Sequence, residues 1–242
     1  MKASGLTDTG QFREKNQDSF SIDLKNKLFI VADGMGGHFG GEIASGTTVK
    51  EINNYWHKYY SEKKQPDYHI RKVIHKVNKQ IFNQHKNMGT TLELLAVVKN
   101  KGWFGHIGDS RIYLLRQKIL ELITNDHTKV KELIDAGELD MESARHYPFQ
   151  HAITRALGIE AATVPDVFSR VLEPEDIIIM CSDGLTGDMA KKIVSDEEIT
   201  DIILSSDDLN CACEKLIEKA NEAGGPDNIT VVIVKIEEGD LS

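Results

Sequence analysis

The chain has 242 residues, with 29 Lys and Arg against 38 Asp and Glu, a formal charge of −9. At 40% hydrophobic and 28% charged, the composition is that of an ordinary globular protein and excludes wholesale disorder. The acidity argues against nucleic-acid binding by phosphate neutralisation. No apolar run exceeds about five residues, where a membrane span needs about 18, so no membrane association is expected. The first residues, MKASGLTDTGQFREKNQD, lack the apolar centre of a signal peptide, and a cytoplasmic protein is expected. Cys181, Cys211 and Cys213 make an odd count without a CxxC, which disfavours a disulfide framework or a zinc ribbon. Cys181, inside IIIMC, reads as a small core hydrophobe.

In chain order, short runs rich in β-branched and aromatic residues predict strands at 18–24, 28–32, 92–98, 103–107, 111–115, 164–172, 177–181 and 229–236. Helices are expected between them. One covers 42–59. In 67–85, Ile70, Val73, Ile74, Val77, Ile81 and Phe82 recur at helical spacing. Ser195 and Glu198 form a capping box ahead of Ile199, Ile202 and Ile203. Leu209, Cys213, Leu216, Ile217 and Ala220 line a last helix. No repeat or linker divides the chain, so residues 1–242 are expected to form a single domain. Clustered strands and clustered helices favour an antiparallel α+β layered fold over a doubly wound parallel sheet. The polar segment 125–160 is an insert, in which Gly137 has the position of a helix-terminating glycine.

One pattern repeats four times. The apolar run FIVA meets Asp33 and Gly34; IIIMCS meets Asp183 and Gly184; WFGHIG meets Asp109; and Gly225-Pro-Asp227-Asn228 precedes ITVVIV. Any one Asp-Gly pair is also a common turn. Several carboxylates at strand ends, however, are costly to desolvate unless cations neutralise them. Mg²⁺ or Mn²⁺ suits carboxylate, carbonyl and water ligands, and glycine lets a backbone carbonyl approach. The loop Gly34-Met35-Gly36-Gly37-His38-Phe39 fails the GxGxxG spacing. Gly36 to Gly41 is followed by Glu42 and Ile43 where a phosphate-binding P-loop needs Lys and Ser or Thr.

The ordered set Arg13-Glu-Lys-Asn16-Gln-Asp18, Asp33-Gly-Met-Gly-Gly-His38, Gly89-Thr90-Thr91, Gly108-Asp109-Ser110-Arg111, Cys181-Ser-Asp183-Gly184 and Gly225-Pro-Asp227-Asn228 resembles the metal-dependent serine/threonine protein phosphatases of the PPM/PP2C family in their compact bacterial form. The resemblance implies a four-layer αββα sandwich, two antiparallel sheets flanked by helix pairs, with a binuclear Mn²⁺ or Mg²⁺ centre at one end. It makes 125–160 the family's variable flap. By motif, Asp33 bridges both metals, the Gly34 carbonyl binds one, and Asp183 and Asp227 hold the other. Asp109, with Asp183, matches a weak third-metal position. Asp18 orients water on the metals, and Arg13 matches the Arg that binds substrate phosphate. His38 is the candidate general acid. Two departures stand out: Gln17 occupies a position often acidic in the family, and Met35 replaces the His of the eukaryotic pattern.

No Ser, Cys or His nucleophile is evident, so a metal-activated water is the expected attacking group, clamped by two cations about 3.5–4 Å apart. Arg13 can fork onto two phosphate oxygens, and the His38 imidazole titrates near working pH. The implied substrates are phosphoserine and phosphothreonine proteins, their partner a cognate Ser/Thr kinase system, and the expected state a monomer. The rivals are a catalytically silent phosphopeptide-binding module, which should have lost a metal Asp or Arg13, and a hydrolase of another phosphate ester.

Overall fold

The computed structural model describes residues 1–241 apart from 38–39, 62, 85–86, 150–151 and 188–191. The chain opens with β1 (Lys2–Asp8), β2 (Ser19–Asp23), β3 (Leu28–Ala32) and β4 (Gly34–Gly36), followed by helices α1 (Gly40–Tyr59) and α2 (Pro66–Gln84). Next come β5 (Met88–Thr90), β6 (Leu92–Val98), β7 (Lys101–Ile107), β8 (Arg111–Arg116) and β9 (Ile119–Leu122). The insert contributes α3 (Lys129–Asp135) and α4 (Met141–Ala144). The remainder is β10 (Asp166–Val171), β11 (Ile177–Cys181), α5 (Asp183–Thr186), α6 (Asp196–Ser205), α7 (Leu209–Glu222) and β12 (Ile229–Lys235).

Successive strand residues point to opposite faces, and here both faces are covered. In β3, Leu28 and Ile30 pack with Ile52, Trp56, Ile70 and Ile74 of α1 and α2. Phe29 and Val31 instead meet Ile112, Ile178, Met180 and Val232 of the opposing sheet. In β11 and β12, Ile179, Cys181, Val231 and Ile233 face Leu185, Ile199 and Leu216 of α5, α6 and α7. Three apolar layers therefore separate four structural layers, which is why these strands read as unbroken apolar runs. One sheet has the order β1-β12-β11-β8-β9 and the other β10-β7-β6-β3-β2, with β4 and β5 as a separate ribbon. The strand pairs are antiparallel. The expected αββα sandwich is the fold observed.

Register brings the motif carboxylates to one end of this sandwich. Cys181 pairs with Arg111 and with Val231. The end of β11 thus lies beside the starts of β8 and β12, and Asp183, Asp109 and Asp227 all flank that edge. In the other sheet Ala32 pairs with Ser19, which puts Asp33 and Asp18 side by side.

The helix signals hold with one exception. Ile70, Val73, Ile74, Val77 and Ile81 are buried, but Phe82 is exposed. The Ser195–Glu198 capping box is formed. Gly137, at φ 72°, closes α3: its amide donates to the Ile134 carbonyl and Glu138 N–H to that of Leu133, both at 2.9 Å, a Schellman closure. Cys181 is fully buried, and burial pushes its thiol up to about 12.

Candidate active site

Asp18 follows a loop that Asn16 stiffens, by accepting the Asp18 amide at 3.0 Å and donating to Thr7 Oγ1 at 2.7 Å. Its Oδ2 accepts from Ser182 Oγ at 2.8 Å and Thr230 Oγ1 at 2.6 Å, hydroxyls from the opposite sheet. The other oxygen, Oδ1, is buried and accepts no hydrogen bond from the described residues. Burial raises the Asp18 carboxyl to about 6, against the pull of those two hydroxyls and with the help of Asp183.

Asp33 leaves the end of β3 with its backbone fixed. Its amide donates to Thr91 Oγ1 at 2.9 Å, and its carbonyl accepts from Thr91 N–H and Thr90 Oγ1, each at 2.8 Å. Its carboxyl is pushed well above the usual range, first by desolvation and then by Asp18, Asp183, Asp109 and Asp227 together. All four other motif carboxylates therefore act on Asp33. Asp109 is raised in the same way, by burial and then by Asp183 and Asp126, with Arg111 opposing.

No three His, Cys, Asp or Glu side chains among the described residues form a ready-made metal cage. The donor set nonetheless fits a hard divalent cation. It offers only oxygen, its charges repel one another, and Asp18 holds a buried carboxylate oxygen with nothing to accept. Mg²⁺ commonly keeps several waters and needs only one or two carboxylates.

Asp227 lies beside Arg13. Arg13 Nε donates to Oδ1 at 2.8 Å and Nη2 to Oδ2 at 2.7 Å. The two expected roles, phosphate binder and metal ligand, meet in one ion pair. Asn228 has no role in the sequence-based expectations, although it belongs to the quoted motif. It accepts Gln17 N–H at 2.8 Å and donates to the Thr9 and Lys15 carbonyls, each at 2.9 Å. It thus fastens the loop bearing Arg13 to the base of β12. Gln17 supports backbone: its carbonyl accepts Gly34 N–H at 3.2 Å and Ser45 Oγ at 2.6 Å. Ser182, just past the end of β11, and Thr230, inside β12, are also absent from those expectations, because a hydroxyl at the end of or within an apolar strand carries no spacing signal.

At Gly34 any Cβ would lie 2.1 Å from the Gly41 carbonyl oxygen and 2.5 Å from that of Gln17. The glycine is required by this backbone crossing. The start of the glycine-rich loop, 34–36, is the strand β4, paired with β5, and β5 is bridged in turn from Thr90 to Leu157. A cavity of about 780 Å³ opens between Met35 and the end of the insert, including Arg155 and Ile159. The polar insert is not uniformly open. Its first residues, Asp126, His127 and Thr128, and Ala156 and Leu157 near its end are buried, whereas most of 131–149 is partly or fully exposed. His38 lies outside the described residues, as does His151 of the insert. No helix among the described residues is long and apolar enough to cross a membrane.

Residues 11–218 match the family model described as Protein phosphatase 2C. The chain is 38% identical to protein phosphatase PhpP of Streptococcus pneumoniae, over 99% of each chain. A serine/threonine phosphatase structure from S. agalactiae superposes with a TM-score of 0.90 at 38% identity, covering 98% of this chain and 99% of that one. The catalytic domain of the serine/threonine protein phosphatase PstP, solved with two manganese ions, gives a TM-score of 0.85 at 32% identity over 98% of both chains.

Proposed function

The chain belongs to the protein phosphatase 2C family, and on that premise we propose how its own residues divide the work. It is a metal-dependent serine/threonine protein phosphatase. The observation that carries the assignment of roles is the convergence of Asp18, Asp33, Asp109, Asp183 and Asp227 at one end of the sandwich, with four of them raising the fifth.

In the proposed arrangement Asp33, the Gly34 carbonyl, Asp183 and Asp227 hold two Mn²⁺ or Mg²⁺ ions, and Asp109 with Asp183 holds a third, weaker one. When bound, such cations neutralise the carboxylates, polarise phosphoryl oxygen and bring the pKa of water towards neutrality. Asp18, anchored by Ser182 and Thr230, aims its remaining oxygen at the attacking water and orients its lone pair towards phosphorus. Arg13 moves its fork from Asp227 to two oxygens of the phosphoryl group. His38 gives a proton to the departing Ser or Thr oxygen. Residues 125–160 act as a flap within the single domain and select among protein substrates. A Ser/Thr kinase supplies those substrates, and the enzyme works as a monomer in the cytoplasm.

The test is phosphate release from phosphoserine and phosphothreonine peptides with Mn²⁺, with Mg²⁺ and with chelator, beside a phosphodiester control. Release that needs the cation and spares the diester supports the reading. Turnover of the diester alone would overturn it, and binding without turnover would return the chain to the silent-module class.

A further inference from the structure

Below the flap lies a buried polar chain that the proposed roles leave unused. Glu93 on β6 and His106 on β7 are completely buried and joined at 2.6 Å between Glu93 Oε1 and His106 Nδ1. The other ring nitrogen, Nε2, faces the Asn125 carbonyl at 2.9 Å. A carbonyl can only accept, so Nε2 carries a proton, and Nδ1 and Glu93 Oε1 share a second one, with burial raising Glu93 to about 7. Burial alone would push the imidazolium down, but Glu93 and the Asn125 carbonyl raise it to about 9.

The next two residues along the chain are held as firmly. Asp126 accepts a buried fork from Arg111, Nε to Oδ1 at 3.0 Å and Nη2 to Oδ2 at 2.6 Å. His127 grips the Gly108 peptide from both sides. Gly108 N–H donates to His127 Nδ1 at 3.1 Å, and His127 N–H donates to the Gly108 carbonyl at 2.7 Å. Since Nδ1 accepts, the His127 proton is on Nε2, which donates to Asp166 Oδ2 at 3.3 Å. Asp166 also meets Arg155 Nη1 at 3.3 Å, and Arg155 belongs to the arm of the flap that lines the cavity beside Met35.

Gly108 needs this grip. Its φ is +115°, and a Cβ there would lie 2.6 Å from Thr91 Cγ2. It directly precedes Asp109, so its peptide sets the direction in which Asp109 leaves the strand. Ser110 on the far side is tied to Thr91 at 2.8 Å between hydroxyl oxygens. The His106 ring lies 4.5 Å from that of His127, close enough for positive charge on one to disfavour it on the other. Burial and His106 together hold His127 down at about 4, so Nδ1 stays an acceptor at neutral pH.

We propose that His127 is a positioning residue: it clamps the Gly108 peptide, thereby fixes the presentation of Asp109 to its cation, and ties that presentation to the flap through Asp166 and Arg155. This rests on the reading of Asp109 as a metal ligand. Losing a group that orients a ligand costs ~10-fold or more in metal affinity, so His127→Gln, which can still donate to Asp166 but not accept from Gly108, should weaken the weak class of Mn²⁺ sites by that amount and leave the tight class in place. His127→Asn puts Oδ1 near the position of Nδ1, keeps the acceptor and should restore the weak class.

The experiment has two arms. In ¹⁵N-labelled wild-type protein, ring shifts should show the Nε2–H tautomer, with a scalar coupling across the hydrogen bond from Gly108 N to His127 Nδ1. A Nδ1–H tautomer would overturn the proposal without any variant. In the second arm, Mn²⁺ is titrated into wild type, Asp109→Ala, His127→Gln and His127→Asn, with free Mn²⁺ read by electron paramagnetic resonance. Loss of the weak class in Asp109→Ala and His127→Gln, with recovery in His127→Asn, supports it. A wild-type titration in His127→Gln beside a changed one in Asp109→Ala refutes the positioning role. An unchanged titration in Asp109→Ala removes the ligand role of Asp109 and this inference with it. Should His127→Gln fail to fold, His127→Asn decides, because loss of its weak class also contradicts the clamp.

Discussion

Arg13 and Asp227 share two hydrogen bonds of 2.8 and 2.7 Å in fork-to-carboxylate geometry. The pair is half open to solvent, with side-chain exposures of 55% and 35%, so it can part without exposing a buried charge. Either partner can exchange the other for a stronger ion. Phosphate offers Arg13 the same geometry as a carboxylate, and a divalent cation offers Asp227 twice the charge. Arg13→Ala should therefore raise KM for phosphopeptides ~10-fold or more, the scale of one charged hydrogen bond at about 1.5–3 kcal/mol. Mn²⁺ affinity should not fall, because Asp227 loses a competitor. Arg13→Lys should not rescue, since an ammonium cannot fork. Paired steady-state kinetics and Mn²⁺ titration check this; weakened Mn²⁺ binding at unchanged KM would assign Arg13 a structural role instead.

The carboxylate cluster predicts how metal and pH act on stability. The carboxyls of Asp18, Asp33 and Asp109 are raised in the fold, Asp18 to about 6 and the other two well above the usual carboxylate value. The native chain without metal thus holds more protons than the unfolded chain, and these groups erode stability as pH rises from about 4 through 6 and beyond. Bound cations reverse the penalty. The rise in Tm on adding Mn²⁺ to chelator-treated protein should be larger at pH 7.5 than at pH 5. Equal shifts at both pH values would sink this account. Asp33→Asn, which removes one charge, should flatten the difference.

Replacing any of the three proposed core ligands should all but stop the reaction. Asp33→Asn, Asp183→Asn and Asp227→Asn should each lower kcat on a phosphopeptide by ~10²-fold or more, given that metal ions supply several kcal/mol of charge stabilisation. Wild-type-like turnover in any of the three removes that residue from the centre.

Asn228 holds three backbone groups of the Arg13 loop at once. In Asn228→Ala, Gln17 N–H and two carbonyls lose their partner; these groups are partly exposed, so the cost should be about 1 kcal/mol, that of an ordinary hydrogen bond. Urea unfolding should show a lower midpoint at an unchanged slope. KM should rise along with it, because Arg13 is no longer held in place. A midpoint equal to wild type would mean that water replaces the side chain at no cost.

The flap variant separates recognition from chemistry. Replacing 136–147, most of which is exposed, should lower kcat/KM on phosphoproteins more than on p-nitrophenyl phosphate, since remote contacts help only a substrate that reaches them. The anchors at 125–128 and 156–158 should stay untouched, because Asp126, His127 and Leu157 are part of the site's support. Equal fractional losses on both substrates would show a structural segment.

The sandwich was legible because burial on both faces writes itself into sequence as unbroken apolar runs, as in LFIVA and IIIMC. The strands that escaped notice lack such runs. In β1, KASGLTD, the apolar side chains that pack are Ala3 against the inner core and Leu6 against the helix layer, and β4 and β5 are glycine-bearing pieces of three residues. Among site residues the aspartates were legible by their place at strand ends and by motif order. Their convergence was not, since it depends on register across two sheets. The Arg13–Asp227 pair joins residues 214 positions apart, and no local pattern reports a partner at that distance. Polarity in the flap does not mean looseness throughout: Asp126 and His127 are polar because they meet buried polar groups, Arg111 and the Gly108 peptide.

The pairing of β1 with β12, from Lys2 against Lys235 to Asp8 against Ile229, also sets the order in which the enzyme comes into being. A ribosome adding ~5–20 residues per second makes β1 tens of seconds before its neighbour exists. Until β12 emerges, Asp227 and Thr230 are missing, and Asp18 lacks one of its two hydroxyl anchors. With Asp227 and Asp18 in the roles proposed for them, catalytic competence switches on late, near the completion of this fold, and a nascent chain that has not yet made β12 is expected to leave the phosphoproteins around it untouched.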